Sequence, residues 1–306
     1  MIKTRGLKKS FGKVPALRGL DINVQEGSIY GFVGQNGAGK TTTLRILAGL
    51  LLHDEGEVEV AGYNVVQNPR AVRESVGYMP DFFGVYDDLR VGEYLLFYAA
   101  AYGIRGITAC NLRDELLELV GLSDKRDSFV DALSRGMQQR LCLARSLVHN
   151  PQVLLLDEPA SGLDPLARIE MRNILRELGT RGKTIVISSH ILPELADLCT
   201  HVGMITDGRL VYEGLLAQMA AGTESQHIIL RCCSGAVQAK VVVENWPGAE
   251  LVRESGEEME IRLSGSAGEA AALLKEVIMA GAAVNHFAKA EKTLEDAYVQ
   301  MAKEVN

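Results

Sequence analysis

The sequence predicts an α/β protein with a parallel sheet, because predicted strands and helices alternate along about the first 220 of its 306 residues. The clearest strand is the run Val153-Leu154-Leu155-Leu156, which is apolar throughout, as expected for a strand buried on both faces. A glycine-rich loop joins a predicted strand at residues 28–33 to a predicted helix at residues 41–50. A loop in that position is typical of α/β proteins that bind phosphates.

This loop has the spacing of a phosphate-binding loop: Gly, four residues, Gly, Lys and Thr. Its glycines allow tight turns that bring backbone N–H groups close to a triphosphate, and the helix that follows points its N-terminus at the anion. Lys40 can reach the β- and γ-phosphates, and the Thr41 hydroxyl can ligate Mg²⁺. The loop reads Gly34-Gln35-Asn36-Gly37-Ala38-Gly39-Lys40-Thr41-Thr42.

The other elements before residue 220 follow from local patterns. Residues 1–27 predict short strands with turns at Gly12 and at residues 26–27, and Ser134 is placed to begin a helix. Asp207-Gly208 is the strongest signal for a two-residue hairpin. Strands are further expected at residues 57–60, 183–188, 202–206 and 209–213, and helices at 71–75, 91–102, 112–120, 134–149, 165–178 and 192–199.

The pattern changes around residues 220–226. We therefore expect a first domain at residues 1–222 and a small α+β domain at residues 223–306. Ser266 with Glu269 has the spacing of a capping box and predicts a helix to residue 280. Strands are predicted in this domain at residues 227–232, 241–244, 250–253 and 260–263, and a final helix begins at the capping box Thr293 with Asp296.

Composition and charge are those of a globular protein with a substantial core: 47% of residues are hydrophobic, 23% are charged and the net charge is −7. Residues 223–306 hold eight basic and 13 acidic residues, which argues against a nucleic-acid surface there. Six basic residues precede the first acid, Asp21. They indicate either a nucleic-acid patch or, as we favour, a solvated hairpin near a polyphosphate, so we expect no nucleic-acid partner.

The cysteines and the apolar runs indicate the compartment of the protein and whether a segment of it could span a membrane. The five cysteines lack CxxC or Cys/His ligand spacing, so we expect them to be reduced and mostly buried. The N-terminus has no apolar signal core, and the most apolar run, residues 94–104, is too short to span a bilayer. Any role at a membrane therefore requires a partner protein.

Two adjacent acids follow the apolar strand. Ligands of α/β sheets bind at the carboxyl ends of the strands, so Asp157 can hold Mg²⁺ through water, opposite Thr41. Glu158 can orient or deprotonate the water that attacks the γ-phosphate. Two solvated acids after a core strand are the weaker interpretation, since acids at a buried strand end need a cation or a chemical role.

A second motif, Leu133-Ser134-Arg135-Gly136, begins the helix at residues 134–149. Ser134 is a candidate N-cap, and Gly136 leaves backbone N–H groups accessible at a helix N-terminus. These residues alone are compatible with an ordinary capped helix or with a second anion site.

Five motifs in order give the sequence a specific resemblance. They are the phosphate loop, Leu133-Ser134-Arg135-Gly136, Asp157-Glu158-Pro159, Ser161-Gly162-Leu163-Asp164-Pro165 and Ser188-Ser189-His190. With them, residues 1–220 resemble the ATP-binding subunit of an ABC transporter. The resemblance implies a P-loop NTPase (RecA-like) core with an antiparallel β subdomain and a helical subdomain at about residues 82–150. It also implies ATP and Mg²⁺ as cofactors and an active ATPase.

The resemblance also implies roles for single residues. Phe11 would stack on adenine, the alternative being a core Phe, and Ser134 and Gly136 would contact the γ-phosphate of ATP bound to a second ATPase subunit. Asp164 would lie at the dimer interface, cap the following helix, or do both. His190 would bind the γ-phosphate and position the attacking water, the alternative being a helix-terminal or core His.

Two positions depart from the family pattern. Asp81 stands where Gln is usual, and it would either bind Mg²⁺ through water or not sense the nucleotide. Arg135 stands at a position where the usual signature has glycine. Its side chain either points to solvent, which preserves the anion site, or points inward, where it adds a donor to ATP.

The resemblance assigns partners as well. Residues 82–97, which include Phe82-Phe83-Gly84-Val85-Tyr86, would receive a cytoplasmic helix of a polytopic membrane permease, the alternative being buried packing. The chain would then lie on the cytoplasmic face of the membrane and form a homodimer or heterodimer with a second ATPase subunit. Residues 227–306, with the Thr-Leu-Glu-Asp stretch at 293–296, resemble the C-terminal extension of bacterial exporter ATPases of the drug, lipid and natural-product type, which favours export.

The sequence argues against two other functions. A soluble ABC-type ATPase of DNA maintenance or translation would carry a coiled-coil insertion, a zinc hook or two fused ATPase units, and the sequence contains none. A non-catalytic nucleotide sensor would explain Asp81 and Arg135, but Glu158 argues against it.

Overall fold

The computed structural model describes residues 1–82, 84, 88–191, 195–216, 225–264 and 266–289. These residues fall into two compact units, one up to Leu216 and one within residues 225–289. The predicted boundary at residues 222–223, the predicted last helix, and Phe83, Val85 and Tyr86 lie outside the described residues. The helix expected at 192–199 is described only from residue 195.

The first unit contains ten strands and six α-helices among its described residues. In chain order the strands are β1 (Ile2–Phe11), β2 (Val14–Val24), β3 (Ile29–Val33), β4 (Glu55–Val60), β5 (Tyr63–Asn64), β6 (Val76–Met79), β7 (Val153–Asp157), β8 (Thr184–Ser189), β9 (His201–Thr206) and β10 (Arg209–Leu215). The helices are α1 (Lys40–Leu47), α2 (Pro69–Ser75), α3 (Val91–Ala101), α4 (Gly106–Leu119), α5 (Arg135–Leu147) and α6 (Pro165–Thr180), with a 3₁₀ turn at Ser123–Lys125.

A six-stranded sheet in the order β10-β9-β3-β8-β7-β6 forms the centre of this unit. The pairs from β9 to β6 are parallel, and β10 pairs antiparallel with β9. All five residues of β7 are buried, which confirms the fold class expected from the apolar run. The expected hairpin is also present, with Asp207 (φ 48°) and Gly208 (φ 75°) in the left-handed region. The edge strand β6 was not predicted.

A second, antiparallel sheet has the order β2-β1-β4-β5. Helix α1 and side chains of both sheets share one hydrophobic core, to which Leu20, Leu44 and Val186 belong. On the outer surface the ammonium groups of Lys8 and Lys9 lie 2.7 Å from carboxylate oxygens of Glu55 and Asp54, respectively. These ion pairs support the solvated-hairpin interpretation of the basic N-terminus.

Helices α3, α4 and α5 lie between β6 and β7 in the chain, as expected for the helical subdomain. Helix α4 begins at Gly106, six residues before its predicted start, and it buries Leu116 and Leu117. Within the described ranges, no helix is long and apolar enough to cross a bilayer.

The second unit has the element order β-α-β-β-α-β and one antiparallel sheet, an arrangement typical of ferredoxin-like domains. The prediction of a strand at residues 241–244 is wrong, because these residues lie in the helix Ala236–Asn245. Ala239 and Val243, one helical turn apart, are both fully buried in the core of the unit. The capping box of Ser266 and Glu269 is confirmed. The elements are β11 (Ser225–Ser234), α7 (Ala236–Asn245), β12 (Ala249–Ser255), β13 (Glu258–Ser264), α8 (Ala267–Met279) and β14 (Ala283–Lys289), with sheet order β12-β13-β11-β14.

Candidate ATP site

The glycine-rich loop turns tightly between β3 and α1. Gly37 (φ 86°) and Gly39 (φ 111°) have left-handed backbone conformations. A Cβ at Gly39 would lie 2.7 Å from a methyl carbon of Leu17, and a Cβ at Gly34 would lie 2.4 Å from the Ile205 carbonyl oxygen. The loop therefore requires glycine at all three positions, for conformation or for space.

Lys40 is only 6% exposed, and its ammonium group faces the inside of the loop. The Nζ atom donates to the carbonyl oxygens of Gly34 (2.7 Å) and Gln35 (3.2 Å), and it lies 3.4 Å from Oε1 of Glu158. The loop thus holds a positive charge at the place where a triphosphate would need one.

Glu158 joins Lys40 to His190. Its second carboxylate oxygen, Oε2, lies 2.8 Å from Nδ1 of His190. An ionised carboxylate can only accept a hydrogen bond, so Nδ1 carries the proton. Glu158 has φ 51°, rare for a residue with a side chain, and its N–H donates to Oγ and O of Ser188 at 3.0 and 3.2 Å. The side chain of His190 is 41% exposed, so the core interpretation of this residue is wrong.

Asp157 is 1% exposed at the end of β7. The Ser188 hydroxyl donates to its Oδ1 at 2.7 Å and accepts from the N–H of Glu158 at 3.0 Å. This fully buried serine therefore orients both acids, a role that the sequence analysis did not assign. Its place two residues before His190, on the strand next to β7, is the signal that could have revealed it.

These side chains meet at a cleft of about 250 Å³. Nine of the predicted site residues line it, together with Ala16 and Ser161, to which no role had been given. Among the residues that the structure describes, no cluster of three His, Cys, Asp or Glu side chains forms a metal cage. The predicted lining residues are Asn36, Gly37, Gly39, Lys40, Thr41, Thr42, Asp81, Glu158 and His190.

Asp81 lies in this cleft with two other acids nearby. Desolvation raises the pKa of its carboxyl group, and the negative charges of Asp157 and Glu158 raise it further. The positive charge of Arg135 opposes these effects, as does His190.

The guanidinium of Arg135 lies against Gly162, with its Cζ, Nη1 and Nη2 atoms 2.6 to 2.8 Å from the position that a Cβ of Gly162 would take. Arg135 is thus exposed and lies against Gly162 of its own chain, and a contact with ATP stays a prediction.

Phe11 is 52% exposed at the end of β1, so the interpretation of this residue as a core Phe is wrong. The ammonium of Lys9 lies 5.7 Å from its ring centroid. Contact with adenine stays a prediction.

The start of α5 is both capped and closely packed. Ser134 is its N-cap, and its Oγ accepts from the N–H of Met137 at 3.3 Å. A Cβ at Gly136 would lie 2.9 Å from Cβ of Ala167, so packing against α6 requires this glycine. Asp164 caps α6 by accepting from the N–H of Ala167 at 2.9 Å, which confirms its predicted capping role. Contacts of Ser134, Gly136 and Asp164 with a second subunit stay predictions.

Comparison with known sequences identifies relatives of this chain. The family model described as ABC transporter matches residues 17–161. The chain is 44% identical to the bacitracin transport ATP-binding protein of Bacillus licheniformis over 70% of its own length and 69% of that protein. It is 44% identical to the Nod factor export ATP-binding protein I of Burkholderia lata over 70% of each protein. It is 30% identical to the linearmycin resistance ATP-binding protein of Bacillus subtilis, over 79% of this chain and 78% of that protein.

Solved structures with the same fold are ATP-binding cassettes. An ATP-binding subunit of an ABC transporter matches with a TM-score of 0.65 and 27% identity, over 72% of this chain and 92% of that one. A dimeric cassette in a post-hydrolysis state, bound to ADP and phosphate, matches with a TM-score of 0.65 and 25% identity, over 71% of this chain and 99% of that one.

Proposed function

This chain belongs to the ABC transporter family of ATP-binding proteins, and we propose that it hydrolyses ATP at the cleft around Lys40, Glu158 and His190 to drive export through a separate permease. The single observation that carries the proposed site is the chain of contacts from Lys40 through Glu158 to His190. The named relatives act in bacitracin transport, Nod factor export and linearmycin resistance, which favours export of a substrate by the system to which this chain belongs.

The contacts of Glu158 suggest how ATP activates the site. One carboxylate oxygen of Glu158 faces Lys40 at 3.4 Å, and the other accepts from His190 at 2.8 Å. A bound γ-phosphate attracts the ammonium of Lys40 more strongly than a single carboxylate does, because it carries more negative charge. Glu158 would then be released to accept a proton from the attacking water, a contribution typically worth about 10²–10⁴ in rate.

His190 would act beside this water. Since Nδ1 donates to Glu158, the neutral ring leaves Nε2 as an acceptor for the water. A doubly protonated ring would instead donate from Nε2 to the γ-phosphate. Either arrangement keeps the ring oriented by Glu158, so the two residues form one catalytic unit.

The residues present fit Mg²⁺ with ATP. The cation would neutralise charge between the β- and γ-phosphates. Thr41 lines the cleft, and the nearly fully buried carboxylate of Asp157 is held by the Ser188 hydroxyl. One hydroxyl and one carboxylate, completed by phosphate oxygens and water, are a donor set that Mg²⁺ accepts.

The permease would dock at residues 82–97 and the adjoining groove. The side chain of Phe82 is 89% exposed and that of Phe97 is 52% exposed. Exposed apolar surface of this kind often marks a site where a partner protein binds. The ring of Tyr98 lies edge-on to that of Phe97, with the centroids 5.2 Å apart, and it lines a cleft of about 210 Å³ in which the Tyr102 ring stacks on His149 at 4.2 Å. The groove is lined by Ala48, Leu50, Arg73, Val76, Tyr78, Tyr98, Tyr102, Arg145, Ser146 and His149.

Affinity purification from detergent-solubilised native membranes tests the transporter role. We would use the Glu158→Gln variant with ATP, which should hold the closed dimer on the cytoplasmic face of the membrane. Recovery of a multi-helix membrane protein in equal amount supports the proposal. Recovery of soluble partners alone would favour a soluble ABC-type ATPase instead.

A surface variant tests the docking site within that experiment. Phe82→Glu should release the membrane protein and leave folding intact, because the side chain is almost entirely exposed. Ile107→Glu on α4, where the side chain is 75% exposed, is the matched control and should retain the partner. Equal recovery with both variants would show that residues 82–97 do not form the docking site.

A further inference from the structure

The hairpin between β9 and β10 touches the phosphate loop at its tip. Its two turn residues are Asp207 (φ 48°) and Gly208 (φ 75°), and Gly208 is buried. The N–H of Gly208 donates to the carbonyl oxygen of Ala38, inside the phosphate loop, at 3.0 Å. The hairpin therefore fixes the direction of one carbonyl group of the loop.

The direction of the Ala38 carbonyl sets the direction of the N–H group that follows it. In a planar trans peptide, the C=O of one residue and the N–H of the next point in opposite directions. Because the carbonyl of Ala38 is turned to Gly208, the N–H of Gly39 points away from the hairpin. Gly39 lines the ATP cleft and is the N-cap of α1, at the end of a helix where backbone N–H groups bind phosphates.

The same glycine contacts β2, which forms another wall of the cleft. The carbonyl oxygen of Gly208 accepts from the N–H of Arg18 at 2.8 Å. A Cβ at Gly208 would lie 2.6 Å from the carbonyl oxygen of Ala16, a residue that lines the cleft. A Cβ at Gly39 would lie 2.8 Å from that same oxygen. The hairpin, the loop and β2 therefore meet where there is no room for a side chain.

A second hairpin, between β4 and β5, shows what such a turn requires by itself. Its turn residues, Ala61 (φ 52°) and Gly62 (φ 81°), have nearly the same conformation as those of the first hairpin. Among the described residues, a Cβ at Gly62 would meet no atom within 4 Å. The left-handed glycine is thus common to both turns, whereas the contact with the phosphate loop belongs to Gly208.

We propose that Gly208 is a positioning residue of the ATP site: its N–H holds the phosphate loop in the form in which the N–H of Gly39 faces the phosphates. The inference rests on the proposed ATP site and adds to it a residue that does not touch the nucleotide. A nucleotide that binds best to this form of the loop must in turn stabilise the hydrogen bond between Gly208 and Ala38, because such coupling is reciprocal.

Hydrogen exchange of the full chain with and without ADP and Mg²⁺ tests this coupling. ADP carries the α- and β-phosphates that a phosphate loop binds, and no hydrolysis is involved. ADP should slow exchange of the Gly208 N–H about two- to tenfold, the value of one neutral hydrogen bond. The N–H of Ala61, which donates to the carbonyl oxygen of Met1 at 2.9 Å in the second hairpin, is the control and should not change.

The ADP affinities of two variants, measured by titration calorimetry, give a second test. Gly208→Ala and Gly62→Ala introduce the same side chain at nearly the same φ, but only Gly208→Ala forces the hairpin away from Ala16. Gly208→Ala should bind ADP about two- to tenfold more weakly than Gly62→Ala, which should match the wild type. Urea unfolding establishes whether both variants are folded.

The outcomes separate this inference from the proposed function. A wild-type chain that does not bind ADP refutes the ATP site itself. If the wild type binds ADP and exchange of the Gly208 N–H is unchanged, or slows no more than that of Ala61, the positioning role is refuted, whether or not Gly208→Ala folds. Equal ADP affinities of folded Gly208→Ala and Gly62→Ala would also refute it.

Discussion

Replacement of Ser188 with alanine should destabilise the first unit because one hydroxyl serves two residues of the ATP site. The hydroxyl donates to the carboxylate of Asp157 at 2.7 Å and accepts from the N–H of Glu158 at 3.0 Å. Asp157 is 1% exposed and Ser188 is fully buried, so water cannot replace the lost donor without opening the core.

The size of the destabilisation depends on which hydrogen bonds Asp157 and the N–H of Glu158 retain when the Ser188 hydroxyl is removed. A hydrogen bond to a charged group is worth about 1.5–3 kcal/mol, and Asp157 loses one. The N–H of Glu158 keeps the backbone carbonyl of Ser188 at 3.2 Å, so it adds little. We therefore expect Ser188→Ala to lower the free energy of unfolding by about 1.5–3 kcal/mol at neutral pH.

Ser146→Ala is the matched control. Ser146 is 4% exposed, and its hydroxyl donates to the neutral carbonyl of Leu143 at 2.7 Å, so its loss should cost only about 0.5–1.5 kcal/mol. The stability of the first unit can be measured by unfolding the protein in urea and monitoring hydrogen exchange in peptides from β7 and β8. Fluorescence would not report on this unit, because the one tryptophan, Trp246, lies in the second. A Ser188 variant no less stable than the Ser146 variant would refute the reasoning.

Three further predictions concern single residues. Gly136→Ala should lower the free energy of unfolding by about 1–3 kcal/mol in urea titrations, because the added Cβ overpacks α5 against α6; unchanged stability would contradict this. Phe11→Ala should raise the KM for ATP at least fivefold, since stacking on a base is worth about 1–3 kcal/mol, and should spare folding because the ring is 52% exposed; an unchanged KM would exclude adenine stacking. Burial raises the pKa of the Cys142 thiol to about 11 and that of Cys199 to about 12, so maleimide at pH 8 should label exposed Cys233 and spare both; labelling of all three alike would contradict the buried positions.

The parts of the fold that depend on local pattern were predicted from sequence. The strand, loop and helix around Lys40 and the hairpin at residues 202–213 each have a signal within a few residues. Strand β6 was missed because it is only four residues long and contains Gly77, whose lack of a side chain serves close packing against the Ser146 carbonyl oxygen. Residues 241–244 were assigned to a strand because valines favour strands, but burial of Ala239 and Val243 on one helical face outweighs that preference.

At the ATP site, too, features set by local sequence pattern were predicted and features set by tertiary contacts were not. The sequence predicted most of the residues that line the cleft, because motif spacing identifies them. It did not predict the Ser188 bridge or the direction of Arg135, since both depend on contacts between segments more than 25 residues apart. Local pattern identifies chemical groups, whereas tertiary packing decides which of them meet.

The most direct test of the central claim is steady-state phosphate release from Mg-ATP by the wild type and by Glu158→Gln. Glutamine keeps the size of the side chain but cannot take a proton, so we expect the rate to fall about 10²–10⁴-fold while ATP still binds. Glu177→Gln, on the exposed surface of α6, is the matched control and should keep the wild-type rate. A Glu158→Gln rate equal to that of the wild type would contradict catalysis by this cleft.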